Sequence, residues 1–424
     1  MRVISVGMTP EKLFHQMLGL GNEWSVTDCR FDEKEGVFLE IKEAPGLWEK
    51  LRCPKDEREV FCYDHTEALE WRHLNVFEHH CHIRCQLPRA KCRQCGHIHR
   101  VCPPWEGLSK HFTKAFEAYA LLLAREMPVK RAAAIVEETD TRFWRIINAH
   151  VTAARAADDQ SGVICVGVDE MNARKGHQYL TVFADLERRR VLFGTEGKDA
   201  SVWLRFADEL SRHHGDPDRI LEVSMDMSTA YQRGASNCCP NARVVFDKYH
   251  IVANVCQAVD QVRKTESRWG TDAAGRDLQK TLWLWRKNPQ NLSESERARL
   301  ENLRSKNLWT AKAYQMRLAL QEIYAEPNEE QARQAFLNWC HWVRDVAQLA
   351  PRMIFEPMLS VSRMIFQHLG GIIAHWKHRL TNAYMEALNS VFSATKRKAR
   401  GYRTAQYLLT ILYLVAGKLK IPFH

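Results

Sequence analysis

Apolar and polar positions change rhythm several times along the chain, and the changes divide it. Residues 163–170 (VICVGVDE) form a short, β-branched apolar run that ends on two acids. A run of that length reads as a strand buried on both faces, the centre of a sheet. Runs at 178–184 and 190–194 complete a meander, followed by a helix over 201–213. Two more strands, at 220–225 and 242–246, end on Asp226 and Asp247, and the second leads into a helix to about residue 264. Ahead of this core, strand-like alternation at 36–41 follows a short helix. Helical spacing at 112–126 stops at Met127-Pro128, and two further helices over 130–137 and 141–156 flank a turn at 138–140. Residues 266–365 are polar and helical, with a capping box at 293–296 and tryptophans that belong mostly to a core.

Three strands therefore end on acids: Asp169, Asp226 and Asp247. Acids at the carboxyl ends of neighbouring strands converge in space. Carboxylates held close repel, and a divalent cation resolves that conflict while supplying an electrophile for phosphate chemistry. A last helix, within 380–401, places Asn382, Glu386 and Asn389 on one face and Met385, Leu388 and Phe392 on another, then runs into Lys396, Arg397, Lys398, Arg400 and Arg403. A lone carboxylate ahead of a basic cluster suits an acid that completes a metal site beside a phosphate backbone.

Composition adds a partner and a second metal. The 424 residues carry a formal net charge of +10, which favours a polyanion. No apolar run reaches transmembrane length, the nearest being 407–416, and the first residues lack a signal-peptide core, so a cytoplasmic protein is expected. Of thirteen cysteines, seven fall between residues 53 and 102, including Cys92-Arg93-Gln94-Cys95-Gly96, a zinc knuckle. Cys53 is the best further ligand, with Cys62, His65 or Asp56 completing a tetrahedron; the set taken is Cys53, Cys62, Cys92 and Cys95. The helices over 111–160 are consistent with a helix-turn-helix whose second helix turns Arg142, Arg145 and His150 away from its apolar face.

Taken in order and spacing, Trp71-Arg72-His73-Leu74, Pro88–Cys92 with Cys95-Gly96, Pro104-Trp105, Gly167–Glu170, Met225–Ser228, Asp247–His250, Thr381–Ala383 with Glu386 and Asn389, Lys396-Arg397 and Gly401–Arg403 resemble the DDE transposases of the ISL-three insertion-sequence family. The resemblance covers nearly the whole chain. It implies an RNase H-like α/β catalytic domain with a mixed sheet, interrupted by an all-helical insertion and preceded by a zinc-binding module and a helix-turn-helix. The corresponding divisions are 1–110, 111–160, 161–265, 266–365 and 366–424. Asp169, Asp226 and Glu386 match the family's catalytic acids, which hold two magnesium (or manganese) ions; Asp247 and His250 match a supporting pair. The implied function is binding of double-stranded DNA at terminal inverted repeats, then metal-dependent cleavage and strand transfer, in a homodimer or larger assembly. A catalytically inactive DNA-binding descendant is the competing reading. The chain departs from the family's first C-P-x-C, having Cys53-Pro54-Lys55-Asp56, and from its usual Glu-Gly, having Glu386-Ala387.

Overall fold

Two five-stranded sheets organise the chain, and helices fill the spaces around the second. The computed structural model describes residues 8–174, 178–269, 277–306, 308–378 and 383–421. The first sheet contains β1 (Trp24–Asp32), β2 (Gly36–Glu43), β3 (Val60–Val76), β4 (His79–Cys92) and β5 (Ile98–Arg100), in the order β1-β2-β4-β3 with β5 on β4. Its core gathers Trp24, Trp71 and Trp105 around Leu39, Ile83 and Leu87. The long β3–β4 hairpin is the largest element the sequence reading missed. Its buried alternation is written partly in cysteine (Cys81, Ile83, Cys85, Leu87), and its turn at Phe77, φ 55°, contains no glycine to announce it. Burial pushes the Cys81 and Cys85 thiols up to about 12, so these two belong to the core.

Three helices follow, Lys114–Glu126, Val129–Ile135 and Asp140–Ala156. Thr113 and Thr139 cap the first and third by accepting from the Phe116 and Arg142 backbone N–H groups. Phe116, Leu121, Phe143, Ile146 and Ile147 bury the shared apolar face. His150 does not point outward, as the spacing suggested. It is buried against Glu117, 2.8 Å away, whose carboxylate also accepts from the backbone N–H groups of Leu108 and Ser109. Burial of a carboxylate is tolerated because all three donors converge on it.

The second sheet contains β6 (Cys165–Arg174), β7 (Gln178–Asp185), β8 (Arg190–Glu196), β9 (Glu222–Met225) and β10 (Arg243–Phe246), in the order β10-β9-β6-β7-β8. β6, β7 and β8 are antiparallel neighbours; β9 and β10 run parallel to β6. β6 does not end at the acids, as its apolar run suggested. It continues to Arg174 because β7 goes on pairing with it, while its parallel pairing with β9 stops at Gly167. Side chains alternate across a strand. Val166 and Val168 accordingly pack on Trp203, Phe206 and Tyr231 of the helices Ser201–Arg212 and Thr229–Cys238. Cys165, Met171 and Ala173 face the helices Ala383–Lys398 and Ala405–Ala416.

From the helix Lys248–Trp269 to the helix Leu369–His378, the described residues outside turns are helical and share one core with Phe246. Trp285 and Trp339 are buried there, whereas Trp283 is 64% exposed. Among the described residues no helix is long and apolar enough to cross a membrane.

Candidate active site

Strand register sets the acids. β6 pairs Gly167 with Ser224 of β9, and β9 pairs Ser224 with Val245 of β10. Two residues further on in each chain segment stand Asp169, Asp226 and Asp247. The register thus carries the three acids to one level, with Asp226 and Asp247 just past the ends of β9 and β10. Because Asp169 shares parity with Gly167 and Met171, it faces the helix Ala383–Lys398. That helix returns the contact: Asn389 Nδ2 donates to Asp169 Oδ2 at 2.5 Å. Helical spacing puts Glu386 on the same side, one turn before Asn389.

A cleft of about 560 Å³ opens here, lined by Asp169, Glu170, Asn172, Asp247, Tyr249, His250, Glu386, Asn389 and Lys396 among others. Asp226 stands beside it, turned by a bond from the Ser228 backbone N–H to its Oδ1 at 2.9 Å. Its charge reaches Glu170. Burial raises the pKa of Asp169, opposed by Asn389 and the Glu170 backbone N–H, and reinforced by the nearby Asp247 charge. Burial, then the charge of Asp226, likewise raises Glu170. Half-buried acids that resist ionisation beside one another are the signature of a place that wants a cation. Among the described residues these acids do not gather three ligand atoms within 4.8 Å. Asp169 spends an oxygen on Asn389.

Several expected residues take other places. Asn389 holds Asp169. Asp247 and His250 do adjoin the cleft, 3.8 Å apart, with Asp247 Oδ1 fixed by the Tyr249 N–H. Lys396 lines the cleft and donates to the Asn172 carbonyl at 2.7 Å. Arg397, Lys398, Arg400 and Arg403 lie exposed beyond it. Asn382 lies outside the described residues. Arg142 is tied down by Glu138 at 2.7 Å and by the Phe112 ring, leaving Arg145 as the exposed cation of its helix. The sequence reading passed over Glu170, which lines the cleft although strand alternation turns it to the opposite side from Asp169.

The cysteine module resolves into two groups. Cys53, Asp56, Cys92 and Cys95 bring their ligand atoms within 4.8 Å of one another. Cys62 is not among them; it lies with Glu43 and His65. The reason is local: the turns after Cys53 and Cys92 repeat one shape, with Glu57 N–H bonding Cys53 O and Gly96 N–H bonding Cys92 O. Asp56 is thereby delivered as Cys95 is, three residues after the leading cysteine. The backbone N–H of Cys95, and less strongly that of Gln94, holds the Cys92 thiol below its ordinary range, which suits a thiolate ligand.

Known proteins match both halves of this description. A family model described as a transposase matches residues 166–412, and one described as the helix-turn-helix domain of transposase family ISL3 matches residues 109–151. The chain is similar to the transposase for insertion sequence element IS1001 of Bordetella parapertussis, 27% identical over 92% of this chain and 95% of that protein. It is also similar to the transposase for insertion sequence element IS1557 of Mycobacterium tuberculosis, 24% identical over 95% of each.

Proposed function

This chain belongs to the transposase family ISL3, and from that premise we propose that it binds the terminal inverted repeats of its insertion sequence and catalyses metal-dependent strand cleavage and strand transfer. The observation that carries the reading is the meeting of the strand-edge acids with the glutamate helix at one cleft, through Asp169 and Asn389. The mixed sheet, with β9 and β10 parallel to β6 and β7 and β8 antiparallel neighbours, supports the RNase H-like part of this reading.

Asp169, Asp226 and Glu386 would hold two divalent cations, magnesium or manganese, which when bound activate the attacking oxygen and stabilise the leaving one. Asn389 orients Asp169, and the Asp247–His250 pair borders the same acids. Lys396, Arg397, Lys398, Arg400 and Arg403 neutralise phosphates near the scissile bond. Water cleaves at the element's end, and the freed 3′-hydroxyl then attacks target DNA in line, so no covalent protein–DNA intermediate forms. The helix-turn-helix supplies end recognition, with Arg145 toward DNA. Pairing two ends calls for a dimer or larger.

The test is an in vitro reaction with labelled element ends, a supercoiled target and magnesium, with Asp226→Asn in parallel. Joined product from the parent, lost in the variant and in chelator, is expected. Specific end binding with no cutting by the parent would point instead to an inactive DNA-binding descendant.

Cys53, Asp56, Cys92 and Cys95 form the structural zinc site of this reading. Thiolates suit zinc better than a carboxylate does. Asp56→Cys should therefore retain zinc against a chelator better by at least roughly tenfold, the scale that even a residue behind the ligands commands. Equal or faster zinc release by the variant would remove Asp56 from the site.

A further inference from the structure

The second ligand group in the N-terminal sheet has no role in the reading above. We propose that Glu43, Cys62 and His65 form a separate, solvent-open site for a zinc-like divalent cation. Their ligand atoms lie within 4.8 Å of one another, and His65 Nε2 stands 2.6 Å from Glu43 Oε1. Sulfur, imidazole nitrogen and carboxylate oxygen are the donor types zinc takes, and three protein ligands with an open fourth position make an exchangeable site. Tetrahedral zinc needs ligand atoms roughly 3.3–3.8 Å apart, so closure asks for about 1 Å of side-chain movement.

The fold builds this juxtaposition deliberately. Residues 62 and 65 are three apart on β3 and should face opposite sides of a regular strand. The register shift between Cys62 and Asp64 corrects that: Cys62 opposes Ala90 and His65 opposes Pro88, two residues apart on β4 and hence on one face. Glu43 arrives from the end of β2, on the far side of β4. An ion here would staple β3 to β2 across the central strand. It would do so where the β3–β4 ladder shifts register twice and where Pro88 offers no N–H. The group shares no residue with the Cys53 group.

The full chain, purified with zinc and dialysed against excess magnesium to occupy the carboxylate cleft, is examined by native mass spectrometry. Two zinc ions per chain are expected, falling to one in Cys62→Ser and one in His65→Ala; Cys95→Ser removes the other. Cobalt substitution gives a second readout. The thiolate-to-cobalt absorption, which the carboxylate cleft cannot produce, should fall in Cys62→Ser while the remaining ion stays bound. One zinc in the parent that survives Cys62→Ser, or two that survive both Cys62→Ser and His65→Ala, would overturn the proposal. Neither outcome depends on transposition activity, and a single zinc in the parent that is lost in Cys62→Ser and kept in Cys95→Ser would count against the structural zinc site alone.

Discussion

Asp169→Asn is expected to stabilise the fold and abolish strand transfer together. Burial raises the pKa of Asp169, so the folded chain holds that proton more tightly than the unfolded chain does. The stability this contributes is full below the ordinary carboxylate range and is lost as pH rises through the folded value. Near neutral pH the ionised carboxylate therefore weighs against folding, and asparagine removes the charge with little change of shape. Its amide keeps both contacts, since Asn389 can turn its own amide to match and the Glu170 N–H still has an oxygen to meet. We expect a gain on the order of 1 kcal/mol, about 2 °C in melting temperature. The advantage should vanish at pH values below the carboxylate range and shrink when magnesium is added, because the cation stabilises only the parent. Strand transfer should fall at least about a thousandfold, since a neutral amide would hold a divalent cation far more weakly than a carboxylate. Thermal melts with and without magnesium, read beside the joining assay, check both halves. A variant that melts below the parent in chelator at neutral pH would show that burial of this charge is not what strains the cleft.

How much of this was legible in the residues depends on what kind of signal each element leaves. The second sheet was legible because its strands are apolar runs bounded by acids, and the strand register carries Asp169, Asp226 and Asp247 to one level along neighbouring strands. Glu386 reached the same cleft because its helix was readable from Met385, Leu388 and Phe392, all buried as spaced. Where a residue's partner is set by tertiary packing, the sequence was silent. Nothing local says that Asn389 turns to Asp169 rather than to DNA, or that Glu117 waits for His150. The fourth member of the Cys53, Cys92 and Cys95 group was hidden for a different reason. Counting thiols favoured Cys62, whereas backbone shape selects Asp56, three residues after Cys53 as Cys95 is three after Cys92. The β3–β4 hairpin hid because cysteine and histidine occupy positions where valine or isoleucine would have announced a strand.

Gly167→Ala is expected to cost strand transfer roughly a hundredfold, the scale of a misplacement near 1 Å, while leaving end binding in place. Gly167 lies two residues before Asp169, on the same face of β6, against Met385 of the glutamate helix. A methyl there would lie 2.6 Å from Leu186 Cδ2, 2.8 Å from Met385 Sδ and 2.9 Å from Met385 Cγ. Those separations are well inside contact distance for carbon and sulfur, so something must move. Met385 is flexible but fully packed, and it sits one residue before Glu386. Relief by shifting the helix carries Glu386 and Asn389 away from Asp169 together. Overpacking of this kind costs about 1–3 kcal/mol, so the melting temperature should fall by a few degrees as well. Shortening the neighbour should restore what the methyl took: Met385→Ala in the Gly167→Ala chain recovers part of the activity, a coupling expected only of residues in contact. Gly370→Ala is the control, since its added carbon meets nothing within 4 Å. The joining assay, run beside a binding assay on the element's ends, separates the outcomes. Unchanged joining by Gly167→Ala would mean the helix is not held in place through this contact, whereas equal loss of binding and joining would mean the substitution unfolds more than the cleft.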